Sequence, residues 1–188
     1  LGGADVVRLR QSVIHLYKLD DQHGGAGGGS TVHLFNRLRG FVASARYDDA
    51  TGQALRELTG QTAQLAGWLA FDADHHDEAR RWWLEALHWS ELADTNSVGV
   101  LAMACMARQA SDQRRPREAI DLATAAQRSA GSATTPRLSS ILRAREALGH
   151  ASAGDAASTH AALRRAHRHA DHARHDNDPR WIDFYGPA

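Results

Sequence analysis

The chain has 188 residues, 43% of them hydrophobic, and 22 Lys plus Arg balance 22 Asp plus Glu. That composition belongs to a globular protein, and zero net charge argues against a strongly electrostatic nucleic-acid binder while leaving room for a local basic patch. Cys105 is the one cysteine, which excludes an intrachain disulfide, and Lys18 is the one lysine. No apolar run reaches the ~18 residues needed to span a bilayer, and no signal-peptide pattern opens the chain, so a cytoplasmic location is expected. Opening at Leu1 without Met, the sequence reads as part of a longer protein.

In chain order, Val6, Leu9, Val13, Leu16 and Tyr17 recur at helical spacing and predict a helix over 4–20. The glycine-rich run Leu19–Gly29 reads as a flexible loop. Ser30 or Thr31 is placed to cap a second helix whose stripe is Val32, Leu34, Phe35, Leu38 and Val42. Asp48–Gly52 reads as a turn. Helices then follow over 53–71, 77–93, 96–111 and 116–130, with Pro116 at a favoured first-turn position. Thr135 and Pro136 form a cap and first helical residue. Gly149–Asp155 reads as a turn into a last helix over 156–175, ended by Asp178-Pro179. Trp181, Ile182, Phe184 and Tyr185 form an apolar tail expected to dock on the last repeat. No segment has the period-two pattern of a strand, so the chain is all-α.

A small-residue pattern repeats at a spacing of 40. Gly67, Ala107 and Ala147 share one position, and Ala79, Ala119 and Thr159 a second. Trp83, Ala123 and Leu163 share a third, and Ala86, Ala126 and Ala166 a fourth. Two antiparallel helices approach closely only where side chains are small, and a bulky residue fills the gap left opposite. The pattern predicts a tetratricopeptide-like stack of antiparallel helix pairs, an α-α superhelix. It divides the chain into an N-terminal helix pair or cap (1–52), three hairpin repeats (53–175) and an aromatic tail (176–188). Trp82, Trp83 and Trp89 read as core and inter-repeat packing. Trp82 and Trp83 point about 100° apart, which leaves one of them for a partner or for the N-terminal pair.

Stacks of this kind bind more often than they catalyse. If the first helix of each pair lines the concave face, Gln61, Gln64, Trp68 and Asp72 point inward from the first repeat. Leu101, Ala104, Arg108 and Asp112 do so from the second, and Ile141, Ala144 and Leu148 from the third. A tryptophan, two amides and an arginine suit a peptide or an extended small molecule. The alternative is that Trp68 packs under a neighbouring helix and Arg108 pairs with Asp112 one turn away. Twelve histidines raise a metal reading: His75-His76-Asp77 in a turn, His167, Asp171 and His175 on one stripe, and His169, His172 and Asp176 on the next. The competing reading is a solvated polar face. No nucleophile or phosphate-loop signature is present, so no enzyme activity and no cofactor are expected.

Several segments carry a family resemblance. They are Val7-Arg8-Leu9-Arg10 with Leu19–Gly25, then Ala66-Gly67-Trp68-Leu69-Ala70-Phe71-Asp72, then Ala79–Leu87, then Pro116-Arg117-Glu118-Ala119, and last Asp178–Tyr185. In this order they resemble the tetratricopeptide-like C-terminal region of Streptomyces-type helix-turn-helix regulators, over nearly the whole chain. In that family a DNA-binding domain usually precedes the region; this chain contains none, so no DNA-contacting residue carries over. The family tail commonly continues into an acidic helix, where this sequence has Gly186-Pro187-Ala188. The resemblance implies a sensor or dimerisation module with a peptide, protein or small-molecule ligand and a possible homodimer. A ligand-free scaffold is the alternative.

Overall fold

A computed structural model of the chain describes residues 1–23, 27–131 and 134–170. Among the described residues there are eight helices and no strand, so the protein is all-α. They are α1 (Gly3–His23), α2 (Gly28–Ser44), α3 (Asp49–Asp72), α4 (His76–Leu92), α5 (Ser97–Asp112), α6 (Pro116–Ala130), α7 (Pro136–Ser152) and α8 (Ala156–Ala170). The aromatic tail and the last expected turns of α8 lie outside the described residues. The chain gathers into two compact units, Leu1–Ala102 and Met103–Ala188.

In the first unit, α3 is the central helix. Fourteen of its 24 residues are buried, on more than one face, which is the signature of a helix enclosed by others. Leu55, Leu58, Leu65 and Leu69 meet Val6, Leu9, Val13 and Leu16 of α1 and Leu34 and Leu38 of α2 in one core. Small residues open another face to α4. A Cβ at Gly67 would meet Nε1, Cδ1 and Cε2 of the Trp83 indole, the last at 3.0 Å, and one at Gly60 would lie 3.2 Å from Cβ of Trp89. Contacts that advance along α4 as they retreat along α3 make the pair antiparallel. Trp83 is fully buried, as are Ala79 and Ala86 on either side of it.

The α1 helix runs on to His23, into the expected loop Leu19–Gly29, and three further helix boundaries differ from the sequence reading, each for a local reason. Asp48 is a cap and not the start of a turn: its Oδ1 accepts from Thr51 N at 2.7 Å, so α3 begins at Asp49. Thr51 and Gly52 are therefore helical, and Gly52 lies under the Tyr47 ring, where a Cβ would come within 2.7 Å of Cε2. Ser30 and Thr31 do not cap α2. That helix starts earlier, with Gly27 at the cap, and the Thr31 hydroxyl donates back to the Gly27 carbonyl at 2.9 Å. Gly149 belongs to α7 and not to the turn after it. It is small because Ile120 sits against it: a Cβ there would lie 2.8 Å from Ile120 Cγ1.

The second unit packs small side chains. Ala104, Cys105, Ala107, Ala110, Ala119, Ala123 and Ala126 are all fully buried. Thr135 caps α7 as expected, its Oγ1 accepting from Leu138 N at 3.2 Å, with Pro136 next. Gly149 opposite Ile120 and Gln127 opposite the Leu142 carbonyl (3.5 Å) show α6 and α7 antiparallel.

The period of 40 extends to the backbone. Asp74, Arg114 and Gly154 all have positive φ, at 61°, 55° and 75°. Around each, three N–H groups turn back onto the preceding helix in the same order: Ala73 to Leu69, Asp74 to Phe71 and His75 to Ala70 in the first hairpin. Gln113, Arg114 and Arg115 bond Gln109, Ser111 and Ala110 in the second, and Ala153, Gly154 and Asp155 bond Gly149, Ala151 and His150 in the third. These are left-handed helix ends that satisfy the last carbonyls, and glycine takes that conformation without a Cβ penalty. Only the third copy uses glycine. Replacing Arg114 by Gly is expected to raise stability by about 0.5–1 kcal/mol, and Gly154→Ala to lower it by about 1 kcal/mol. Paired urea melts read the two signs directly.

Candidate functional site

The residues expected to line a concave face divide into three groups. Gln64 and Leu101 are interior, each 4% exposed, and Ala104 is fully buried. Gln64 faces α1, not solvent: the Tyr17 hydroxyl lies 2.7 Å from its Oε1 and 3.3 Å from the Gln61 carbonyl. Gln61 also turns inward along its own helix, its Nε2 donating to Glu57 Oε1 at 3.2 Å. The sequence reading left this face of α3 open, and α1 covers it. Gln64 and Leu101 are therefore removed from the contact surface.

In the second unit, Arg108 Nε donates to both carboxylate oxygens of Asp112, at 3.1 and 2.9 Å. Both side chains are about two-fifths exposed (41% and 40%). Such a pair one turn apart is worth roughly 0–1 kcal/mol, and it engages the Nε–H of the guanidinium. Trp68 and Asp72 keep accessible surface at the end of α3. Trp68 is half-buried, its ring 5.7 Å from that of Phe71, which in turn lies 5.8 Å from Trp83. Ile141 and Ala144 are half-buried and Leu148 is exposed.

Among the described residues, no three His, Cys, Asp or Glu side chains converge on a point that holds a metal. His75 lies 3.7 Å from Glu78 and His76 3.6 Å from Asp74, as separate pairs. Asp171, His172, His175 and Asp176 lie outside the described residues.

The open surface of the first unit is elsewhere, between α2 and α4, where a groove of about 570 Å³ runs along the two helices. Its aromatic floor forms because Trp82 and Trp83 diverge: Trp83 enters the core and Trp82 meets Phe35 of α2 edge-on, with centroids 5.0 Å apart at 82°. Trp82 thus faces the N-terminal pair. On the α2 wall, the Arg39 guanidinium carbon lies 5.7 Å from the Phe35 ring centroid. On the α4 wall, Arg81 is exposed and makes no hydrogen bond or ion pair among the described residues. The groove's acids are engaged differently. Glu78 accepts from the Trp82 indole N–H and Glu85 from that of Trp89, both at 3.3 Å. Leu84, on the same wall, is 52% exposed. The angular divergence of Trp82 from Trp83 was the one sequence signal for this groove. The pairing of α2 with α4 was not legible.

Among the described residues of the second unit, a half-buried polar cluster centres on Glu146. Its Oε2 accepts from Gln127 of α6 at 3.0 Å and from Arg143 of α7 at 2.8 Å. Its Oε1 lies 3.8 Å from Arg165 of α8 and 3.9 Å from His150. Burial opposes ionisation most strongly. The hydrogen bonds from Gln127 and Arg143 and the positive charges of Arg143 and Arg165 together outweigh it, and the carboxyl stays below the ordinary glutamate range. One carboxylate thus ties three helices together.

In comparisons with known proteins, no family, no curated protein and no solved structure matches this chain.

Because the folded state favours the ionised form of Glu146, its stabilisation is present above the unfolded carboxyl range. It is lost as pH falls through the lower folded value. Glu146→Gln is expected to cost about 1–2 kcal/mol at neutral pH. The gap from the native chain should close on acidification, measured as the difference in urea midpoints across a pH series. A gap independent of pH would mean that the charge of Glu146 contributes nothing.

Proposed function

We propose that this chain is a sensor and protein-interaction module of a bacterial transcription regulator, acting in the cytoplasm. Its ligand is a peptide, a protein segment or a small molecule, and its contact with DNA runs through a separate helix-turn-helix domain. The observation that carries the reading is the α2–α4 groove: an aromatic floor, an exposed leucine and two guanidiniums without a carboxylate partner among the described residues. Helical-hairpin repeats commonly serve as rigid surfaces of this sort. The regulator context rests on the ordered sequence segments that resemble the actinobacterial group, and fold alone does not fix function. Signalling would follow if the ligand favours one of two arrangements of the module, in proportion to its differential affinity.

A second reading, a ligand-free scaffold or dimerisation module, is favoured by a different observation. Gln64, Leu101, Arg108 and Asp112 are satisfied within the protein. Native mass spectrometry of the chain purified from an actinobacterial host separates the two. The sensor reading expects subunits carrying additional mass that survives gentle ionisation and is lost on heating. A bare homodimer would transfer the assignment to the scaffold.

A further inference from the structure

Resting on the reading of this chain as a binding module, we propose that the α2–α4 groove docks an acidic peptide segment of a partner protein, with a large apolar side chain flanked by carboxylates. The chemistry follows from what the groove leaves unmet. Arg81 has no partner among the described residues, and Arg39 is engaged only by the face of Phe35. A guanidinium free of carboxylates forms charge-assisted, two-pronged bonds to an incoming one. Leu84, 52% exposed, and the Trp82 ring supply apolar ground in the same groove. At about 570 Å³ and open along its length, the groove is a trough between helices and not an enclosed cavity. That form suits a peptide laid across it better than a small molecule, which needs most of its surface enclosed.

The groove's own acids decide which kind of anion fits. Glu78 and Glu85 line it together with the two arginines. They repel a continuous phosphate backbone, and binding such a backbone demands a basic surplus that the balanced 22 and 22 charges do not give. Carboxylates spaced along a peptide can meet Arg39 and Arg81 and stay clear of Glu78 and Glu85. An apolar side chain between them covers Leu84, which otherwise remains in water.

The test is selection of random dodecapeptides displayed on phage against the full chain, in parallel with an Arg39→Glu/Arg81→Glu variant. Both arginines are exposed, so the variant should melt with the native chain; Arg39→Gln/Arg81→Gln serves if it does not. The expected result is enrichment of Asp or Glu flanking Leu, Phe or Trp on the native chain, with affinity falling about tenfold or more on the variant. Equal enrichment of the same peptides on both chains would overturn the groove as the site while leaving the binding-module reading intact. No enriched peptide on the native chain would overturn the acidic-peptide assignment, while the binding-module reading is decided separately by the additional mass in native mass spectrometry. Arginine-dependent binding of a fluorescein-labelled single-stranded oligonucleotide would replace the peptide with nucleic acid.

Discussion

The close approach of α3 and α4 is the constraint on which the first unit depends. It exists because position 67 has no side chain and position 83 has the largest one. With the indole seated against the α3 backbone, there is no room for a methyl group at Gly67. The consequences reach both ways along α4. Fixing Trp83 inward turns Trp82 toward α2, and that rotation builds the aromatic floor of the groove. A fully buried residue and a half-buried one that borders the groove are thus adjacent on one helix.

The same slots in the other repeats trade volume differently. Ala107 and Ala123, both small, replace Gly67 and Trp83 in the second, and both are fully buried. Ala147 and Leu163 take the slots in the third, where Ala147 is buried and Leu163 is 37% exposed. The pattern that identified the repeat is therefore a rule about the space between helices. It holds at the backbone turns as well, where even an arginine is held in a conformation that glycine prefers.

Much of this was legible in the sequence, for physical reasons. Apolar spacing located all eight helices, because each buries a stripe. Thr135-Pro136 announced a helix start, because a cap and a proline act within four residues. What failed was whatever needed knowledge of a neighbour. Gly149 looked like a turn residue because nothing local says that Ile120 lies against it. Gln64 looked like a groove residue because its hydroxyl partner, Tyr17, is far away in sequence. Asp48 was assigned to a turn because an aspartate suits a turn and a cap equally. The α2–α4 groove depends on residues from two helices that are not consecutive, and periodicity within one helix carries no information about that.

Enclosure of α3 also sets an order of opening. Its leucines meet α1 and α2 while Gly60 and Gly67 meet α4, so exposing its amides to solvent requires several contacts to be lost together. The amide hydrogens along the middle of α3 should exchange with deuterium only through events that dismantle the whole unit. Those of α1, which contributes a single stripe from Val6 to Leu16, can exchange through a smaller opening that leaves the rest in place. The helix that carries the buried glycines is, in this sense, the slowest clock in the unit.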